Sequence, residues 1–135
     1  MDIDGILCKD PIWGTDLDET KYINHILNAP PLMQLKQTAM ALCTHRIIKY
    51  SKETTQWLKK NNIEYNKLYM LGFGSMQEKI KNMNSKSYLN MKSTVYYNHP
   101  EAKLFIESDW IEAQRIYNNL HRPVLCLDKN ILLQD

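Results

Sequence analysis

Two carboxylates stand one residue apart at the start of the chain, in Met1-Asp2-Ile3-Asp4-Gly5. Alternate side chains of an extended backbone share a face, so Asp2 and Asp4 project to the same side. Two acids held in this way can share a divalent cation while doing different chemistry. A D-x-D-G tetrad followed by apolar Ile6 and Leu7 is what a phosphoryl-transfer site places at the tip of a parallel strand. Further groups supply what that chemistry needs: the hydroxyl of Thr44, a downstream lysine, and a second acidic cluster at Glu107, Ser108 and Asp109. Phosphoryl transfer is mostly positioning and charge neutralisation, for which metal-binding acids plus one cation are a sensible minimum. Arg46, two residues past Thr44, offers a fork suited to bidentate contact with a phosphate or another part of a substrate. With His45 between them, these residues form the candidate substrate-binding set Thr44, His45 and Arg46.

The elements that must position these groups are legible as alternating patterns. Short apolar runs at Ala39–Thr44, Lys67–Leu71, Lys103–Glu107 and Pro123–Leu127 read as strands. Their lack of polar alternation fits strands covered on both faces. Ser51 caps a predicted helix through Lys60, with Thr55 and Leu58 on one face near Trp57, and Asn61-Asn62 ends it. Met91–Tyr97 reads as a short helix stopped before Pro100. Asp109 caps a helix through Asn119 that buries Ile111, Ala113 and Ile116, and Pro31 suits the first turn of a helix to Gln37. Lys9–Asp18 reads as a polar loop, and Gly72–Ser87 as a loop with one helical turn. Strands alternating with helices predict an α/β fold with a parallel sheet, helices on both faces and right-handed crossovers. Ligands of such sheets bind beyond the carboxyl ends of the strands, where Asp2, Asp4, Thr44, Gly72 and Glu107–Asp109 all fall.

Composition narrows the function classes. The length fits one domain, residues 1–135, and 44% hydrophobic with 24% charged residues is ordinary for a globular protein. A net charge of +2 is too small for a nucleic-acid footprint. No apolar stretch approaches the roughly 18 residues of a membrane span, and the first residues are acidic rather than basic, unlike a secretory leader. The three cysteines, Cys8, Cys43 and Cys126, show no metal spacing. Cys43 and Cys126 lie in apolar runs and read as buried, reduced thiols, which points to the cytoplasm. His45 and His99 match no metal-site spacing and read as surface residues. Lys59-Lys60 and Lys79–Lys81 read as solvated helix faces, and Tyr65, Tyr69, Tyr96, Tyr97, Trp57 and Trp110 as core or boundary packing.

Taken in order, the motifs resemble the haloacid dehalogenase (HAD) superfamily of phosphatases. Asp2-Ile3-Asp4-Gly5 is similar to its first motif, Thr44 in Leu42-Cys43-Thr44-His45-Arg46 to its second, Lys92 in Asn90-Met91-Lys92-Ser93 to its third, and Glu107-Ser108-Asp109 with Ala113 to its fourth. Thr44–Tyr50, Glu53–Lys59, Leu104–Ser108 and Arg122–Cys126 also resemble small HAD-like domains found beside phosphoribosyltransferase domains, so the likeness spans nearly the whole chain. It implies a three-layer Rossmann-like sheet with little or no cap, since about 40 residues separate the first and second motifs. It implies a Mg²⁺-dependent phosphatase acting on a phosphorylated small molecule or other phosphate ester. Asp2 would be the nucleophile and form an aspartyl-phosphate, Asp4 the acid and then the base, Thr44 a hydrogen-bond donor to phosphoryl oxygen, and Lys92 the balancing charge. The metal set would be Asp2, Asp4 through its carbonyl, and Glu107 or Asp109. The alternative is a catalytically impaired HAD-like module with a binding or accessory role. Two departures stand out. Ser108 occupies the place where the family has a metal-binding Asp, and only Met1 stands where the family has an apolar strand of about four or five residues. A missing central strand would leave neighbouring strands with unpaired groups, each costing about 1–3 kcal/mol when buried. Three explanations are open: a misplaced start codon, a truncated gene, or another segment in that strand's place.

Overall fold

The computed structural model describes residues 1–12 and 14–135. Helix α1 (Glu19–Asn28) starts at Asp18, whose side chain accepts from the Lys21 amide, and buries Tyr22 and Ile26 one turn apart. It is absent from the predicted elements, although the Asp18 cap and the Tyr22/Ile26 spacing mark it. Strand β1 (Ala39–Ile47) runs three residues past Thr44, so Thr44 lies within the strand rather than at its end. Helix α2 (Ser51–Lys60) buries Thr54, Trp57 and Leu58, so the buried face holds Thr54 in place of the expected Thr55. Strand β2 (Tyr65–Leu71) pairs in parallel with β1, from Ala39 opposite Tyr65 to Ile47 opposite Leu71, with a register shift after Cys43.

The expected loop after β2 holds two short helices, α3 (Met76–Lys81) and α4 (Lys86–Leu89), each started by a serine side-chain cap at Ser75 and Ser85. Helix α5 (Met91–Tyr97) matches its prediction. Strand β3 (Phe105–Glu107), helix α6 (Trp110–Leu120) and strand β4 (Val124–Cys126) follow, and β5 (Ile131–Leu133) returns antiparallel to β4. Strands β3 and β4 are parallel. Ala113 and Ile116 of α6 are buried, but Ile111 is 65% exposed, contrary to the expected face. No helix forms from Pro31 to Gln37. The chain there is extended, with Leu32 N donating to Leu7 O at 2.8 Å and Lys9 N to Pro30 O at 3.0 Å, so pairing with the N-terminal loop replaces helical hydrogen bonds.

The architecture is therefore α/β, built from one small parallel sheet and one small mixed sheet with helices packed on them, and compatible with a Rossmann-like fold. The strands form two sheets, β1-β2 and β3-β4-β5. Met1 and Asp2 join them. Met1 N donates to Ala41 O at 2.9 Å, Cys43 N donates to Met1 O at 2.9 Å, and Asp2 N donates to Ile106 O at 3.0 Å. Beyond this two-residue link the chain turns, with Gly5 at φ 79°. A Cβ at Gly5 would lie 2.6 Å from Ser108 Oγ, so the turn admits no side chain there. Ile3, Ile6 and Leu7 then bury completely against Leu42, Trp57 and Leu58. Trp57 Nε1 donates to Ala29 O at 2.8 Å, satisfying its polar atom inside this core.

Cys8, Cys43 and Cys126 are all buried and unbridged, as expected for two of them. His99 is not a surface histidine: its ring is largely covered and shares a 2.9 Å hydrogen bond with Tyr69 Oη. Tyr97, expected in packing, is 70% exposed. Among the described residues no helix is long and apolar enough to cross a membrane.

The N-terminal segment thus anchors the core it enters. Ile3→Ala lowers the unfolding free energy by about 2–5 kcal/mol in urea titrations, the ordinary range for truncating a fully buried isoleucine. A loss below about 0.5 kcal/mol would show that the first residues do not pack between the sheets.

Candidate functional site

The carboxyl ends of β1 and β3, the turn after Asp2 and the first turns of α5 and α6 enclose a polar cleft of about 710 Å³. Nine residues singled out in the sequence line it, Asp2, Asp4, Thr44, His45, Arg46, Lys92, Glu107, Ser108 and Asp109, whereas Gly72, the other strand-end position, does not. The link Met1–Asp2 delivers the acids, β1 delivers Thr44 to Arg46, α5 delivers Lys92, and the turn after β3 delivers Glu107 to Asp109.

Lys92 is 3% exposed and forms the hub. Its Nζ donates to Asp2 Oδ2 at 3.0 Å, Glu107 Oε2 at 2.8 Å and Glu112 Oε2 at 2.6 Å. Glu107 is fully buried, and its other oxygen accepts from the amides of Ser108 at 2.9 Å and Asp109 at 3.2 Å. Both oxygens of this candidate metal ligand are therefore engaged. Asp109, the other candidate, caps α6 by accepting from Glu112 N at 2.8 Å. That cap fixes the first turn that carries Glu112 to Lys92. Glu112 also holds His45 Nδ1 at 2.9 Å, and the His45 ring stacks on Tyr88 of α4 with centroids 4.3 Å apart. His45 is therefore enclosed rather than a surface residue, and its Nε2 is buried with no partner among the described residues.

A second ion pair fills the other side of the cleft. Arg46 is 2% exposed and grips Asp4 with both prongs, Nε to Oδ2 at 3.0 Å and Nη2 to Oδ1 at 2.7 Å. Its Nη1 donates to Thr54 Oγ1 at 3.2 Å. The guanidinium expected to contact substrate is thus occupied by Asp4, because Arg46 is buried and the half-buried Asp4 carboxylate is the opposite charge within its reach. Thr44 is 1% exposed, and its Oγ1 accepts from Arg46 N at 3.1 Å while its own proton finds no acceptor among the described residues. That hydroxyl remains able to donate into the cleft.

The charge states follow from this geometry. Burial pushes the Asp2 carboxyl up to about 7, against the opposing pull of Lys92, and the neighbouring carboxylates of Glu107 and Asp4 add to the rise. Burial also raises Asp4, but the Arg46 guanidinium outweighs it and holds Asp4 below its ordinary value. Burial disfavours the Lys92 ammonium, yet Asp2, Glu107 and Glu112 together keep it well above the usual lysine range. Burial likewise raises Glu112, but the hydrogen bond from His45 and the charge of Lys92 pull it down to about 2.

Three residues that line the cleft, Glu112, Asp10 and Lys79, escaped the sequence reading. Glu112 sits three residues after the Asp109 cap, a spacing that would have marked it. Asp10 lies in the N-terminal loop and carries no sequence signal; burial and the nearby Asp4 and Asp2 raise its carboxyl. Lys79 of α3 lines the cleft instead of forming a solvated face, and burial lowers its ammonium. No carboxylate among the described residues lies within ion-pair distance of Lys79.

Two oxygen-rich groups in the cleft are the candidates for holding a hard divalent cation. Asp2, Glu107 and Glu112 offer oxygens within 4.8 Å of one another, but Lys92 Nζ already sits among them. Beside Gly5 the Ser108 hydroxyl donates to the Asp4 carbonyl at 3.1 Å, and Asp10 Oδ2 lies close to the same turn. Carboxylate, carbonyl and hydroxyl oxygens are the ligands such ions take. No family model, curated protein or solved structure matches this chain.

The raised Asp2 carboxyl has a consequence for stability. A carboxyl at about 7 in the folded state, against 3.8 as its ordinary value, contributes fully below pH about 4 and loses that contribution as pH rises through 7. Without added metal, wild type therefore loses stability relative to Asp2→Asn between these limits in denaturant titrations. Parallel curves for the two proteins would contradict the assigned environment of Asp2.

Proposed function

We propose that this chain is a phosphatase of the HAD type, a phosphoric monoester hydrolase working through an aspartyl-phosphate on Asp2 with Mg²⁺ as cofactor. The reading rests on one observation: an acid pair, a hydroxyl with a free proton, a buried lysine and an acidic turn, spread over more than 100 residues of sequence, converge on one cleft. The parallel-sheet α/β architecture is compatible with it. The full three-layer HAD-like arrangement, with only α3 and α4 over the cleft as a minimal cap, and a cytoplasmic setting belong to the same proposal.

In this reading an oxygen of the Asp2 carboxylate attacks phosphorus as the bond to the ester oxygen breaks. Lys92 holds the nucleophile oriented and offsets the charge it shares with the phosphoryl group. Thr44 donates to a phosphoryl oxygen. Water then attacks the phosphorus of the acyl phosphate, returning Asp2 and inorganic phosphate, with Asp4 accepting the proton. Asp2 and the Asp4 carbonyl, with Glu107 or Asp109, would hold the Mg²⁺, which supplies charge neutralisation when bound. Lys79 reaches into the cleft as a cation without an acidic partner and meets the anionic part of the substrate.

The Arg46–Asp4 pair shapes the substrate range. Asp4 held ionised is a poor donor to a leaving alkoxide, so esters whose leaving group needs no proton are favoured. The chain hydrolyses p-nitrophenyl phosphate with Mg²⁺, turns over alkyl phosphates far more slowly, and loses activity in Asp2→Asn. Lys79→Ala raises KM about tenfold with kcat little changed, the loss of one charged contact. Inactivity on both ester classes across a broad panel would remove the proposal.

A second reading is a catalytically impaired HAD-like module that binds a partner. The locked Asp4 and the serine at position 108 favour it. A ligand bound only by the folded state must raise its melting temperature. A phosphatase melts higher with Mg²⁺, whereas the impaired module melts at the same temperature with and without it.

A further inference from the structure

The cleft does not end at its charged groups. Asp10, Pro11 and Asp16 line it and also line a shallow groove of about 430 Å³ beside it, so the two spaces are continuous. Among the described residues the groove is walled by Ile12 and Leu17 of the N-terminal loop and by Ile80 and Met83 at the close of α3. These large apolar side chains are between 43% and 83% exposed. Apolar residues scattered singly over a surface need no explanation, but a contiguous set rimmed by polar groups marks a contact site.

Helix α3 joins the two spaces. Successive helical side chains diverge by about 100°, so Lys79 lines the cleft while its neighbour Ile80 lines the groove. Met83 stands three residues after Ile80 and falls on the same face. Its amide donates to Ile80 O at 3.5 Å, which continues the turn. An anion held at Lys79 therefore sits one residue from an apolar wall. Charged and polar side chains make up most of the cleft lining, so the cleft itself offers an apolar group little cover. Asp10 and Asp16 at the join repel a further anion, which leaves the groove to an uncharged body. We infer that the groove is the subsite for the organic part of the substrate, and that this substrate is a hydrophobic aryl phosphate whose phosphoryl group lies in the cleft. The inference rests on the phosphatase reading for the place of the phosphoryl group. It agrees with the Arg46–Asp4 pair, because phenolates are leaving groups that need no proton. Ile12, Leu17, Ile80 and Met83 set specificity by covering that body and do not touch the reacting atoms.

Binding separates the subsite from the reaction. Benzylphosphonate and para-butylbenzylphosphonate carry the same anion on a bond that is not hydrolysed, and they differ only in an alkyl chain. Calorimetry with the full chain and Mg²⁺ shows the butyl compound binding about tenfold tighter, the gain of a half-covered butyl group. Ile80→Ser combined with Met83→Ser, both at exposed positions, cuts that advantage below about twofold and leaves benzylphosphonate affinity unchanged. Equal affinities overturn the inference, as do an advantage that survives the double substitution and a failure of both compounds to bind. A dimer in light scattering that the double substitution dissolves identifies a second copy as the occupant and also overturns it. Turnover of phenyl phosphate and para-butylphenyl phosphate reports on the phosphatase reading by itself. Hydrolysis of both at equal kcat/KM, with equal phosphonate affinities, overturns the subsite alone. Tighter binding of the butyl compound without hydrolysis of either ester supports the subsite and removes the phosphatase reading.

Discussion

Lys92 Nζ lies within 3.0 Å of carboxylates from three separate segments, and the arrangement of the site depends on that contact. Asp2 comes from the N-terminal link, Glu107 from the end of β3 and Glu112 from the first turn of α6. Burying any one of these acids without a counter-charge is prohibitive, and removing a partner from a buried pair costs about 3–5 kcal/mol. The ammonium therefore fixes the docking of α5 against β3, of α6 against α5, and of the first two residues between the sheets. One positive charge shared by three acids does not offset burial at Asp2, which holds its proton toward neutrality while Glu112, assisted by His45, gives its own up.

The second charged contact divides the acid pair that opens the chain. Asp2 turns to Lys92 and Asp4 to Arg46, so two carboxylates one residue apart have opposite shifts. Environment rather than residue type separates them: Asp4 alone faces a bidentate guanidinium, and Asp2 shares its cation. The same pairing ties β1 to the N-terminal turn and, through Thr54, to α2. Gly5 makes the turn possible by leaving room for Ser108 and Asp10 where a side chain would stand.

A divided sheet is the unusual element of this fold. The apolar residues after the link, Ile3, Ile6 and Leu7, contribute a fully buried cluster next to it, which fastens the short N-terminal segment even though it forms few ladder bonds. Packing thus does in part what strand pairing would otherwise do. The cost is visible as apolar surface and free strand edges on the side opposite the cleft.

The residue order by itself determined the alternation of strands and helices, the helices over 51–60 and 91–97, the cap at Asp109, and the identity of nine residues that line one cleft. These are local matters: apolar runs, caps and spacings act over one or two turns of chain. Only the tertiary structure decided the partners. The commitment of Arg46 to Asp4, the three-way use of Lys92, the entry of Glu112, Asp10 and Lys79, and the extended path after Pro31 each depend on groups far apart in sequence that become neighbours only on folding. Charge pairing under burial is a property of which groups share the low-dielectric interior, and one-dimensional spacing does not contain it.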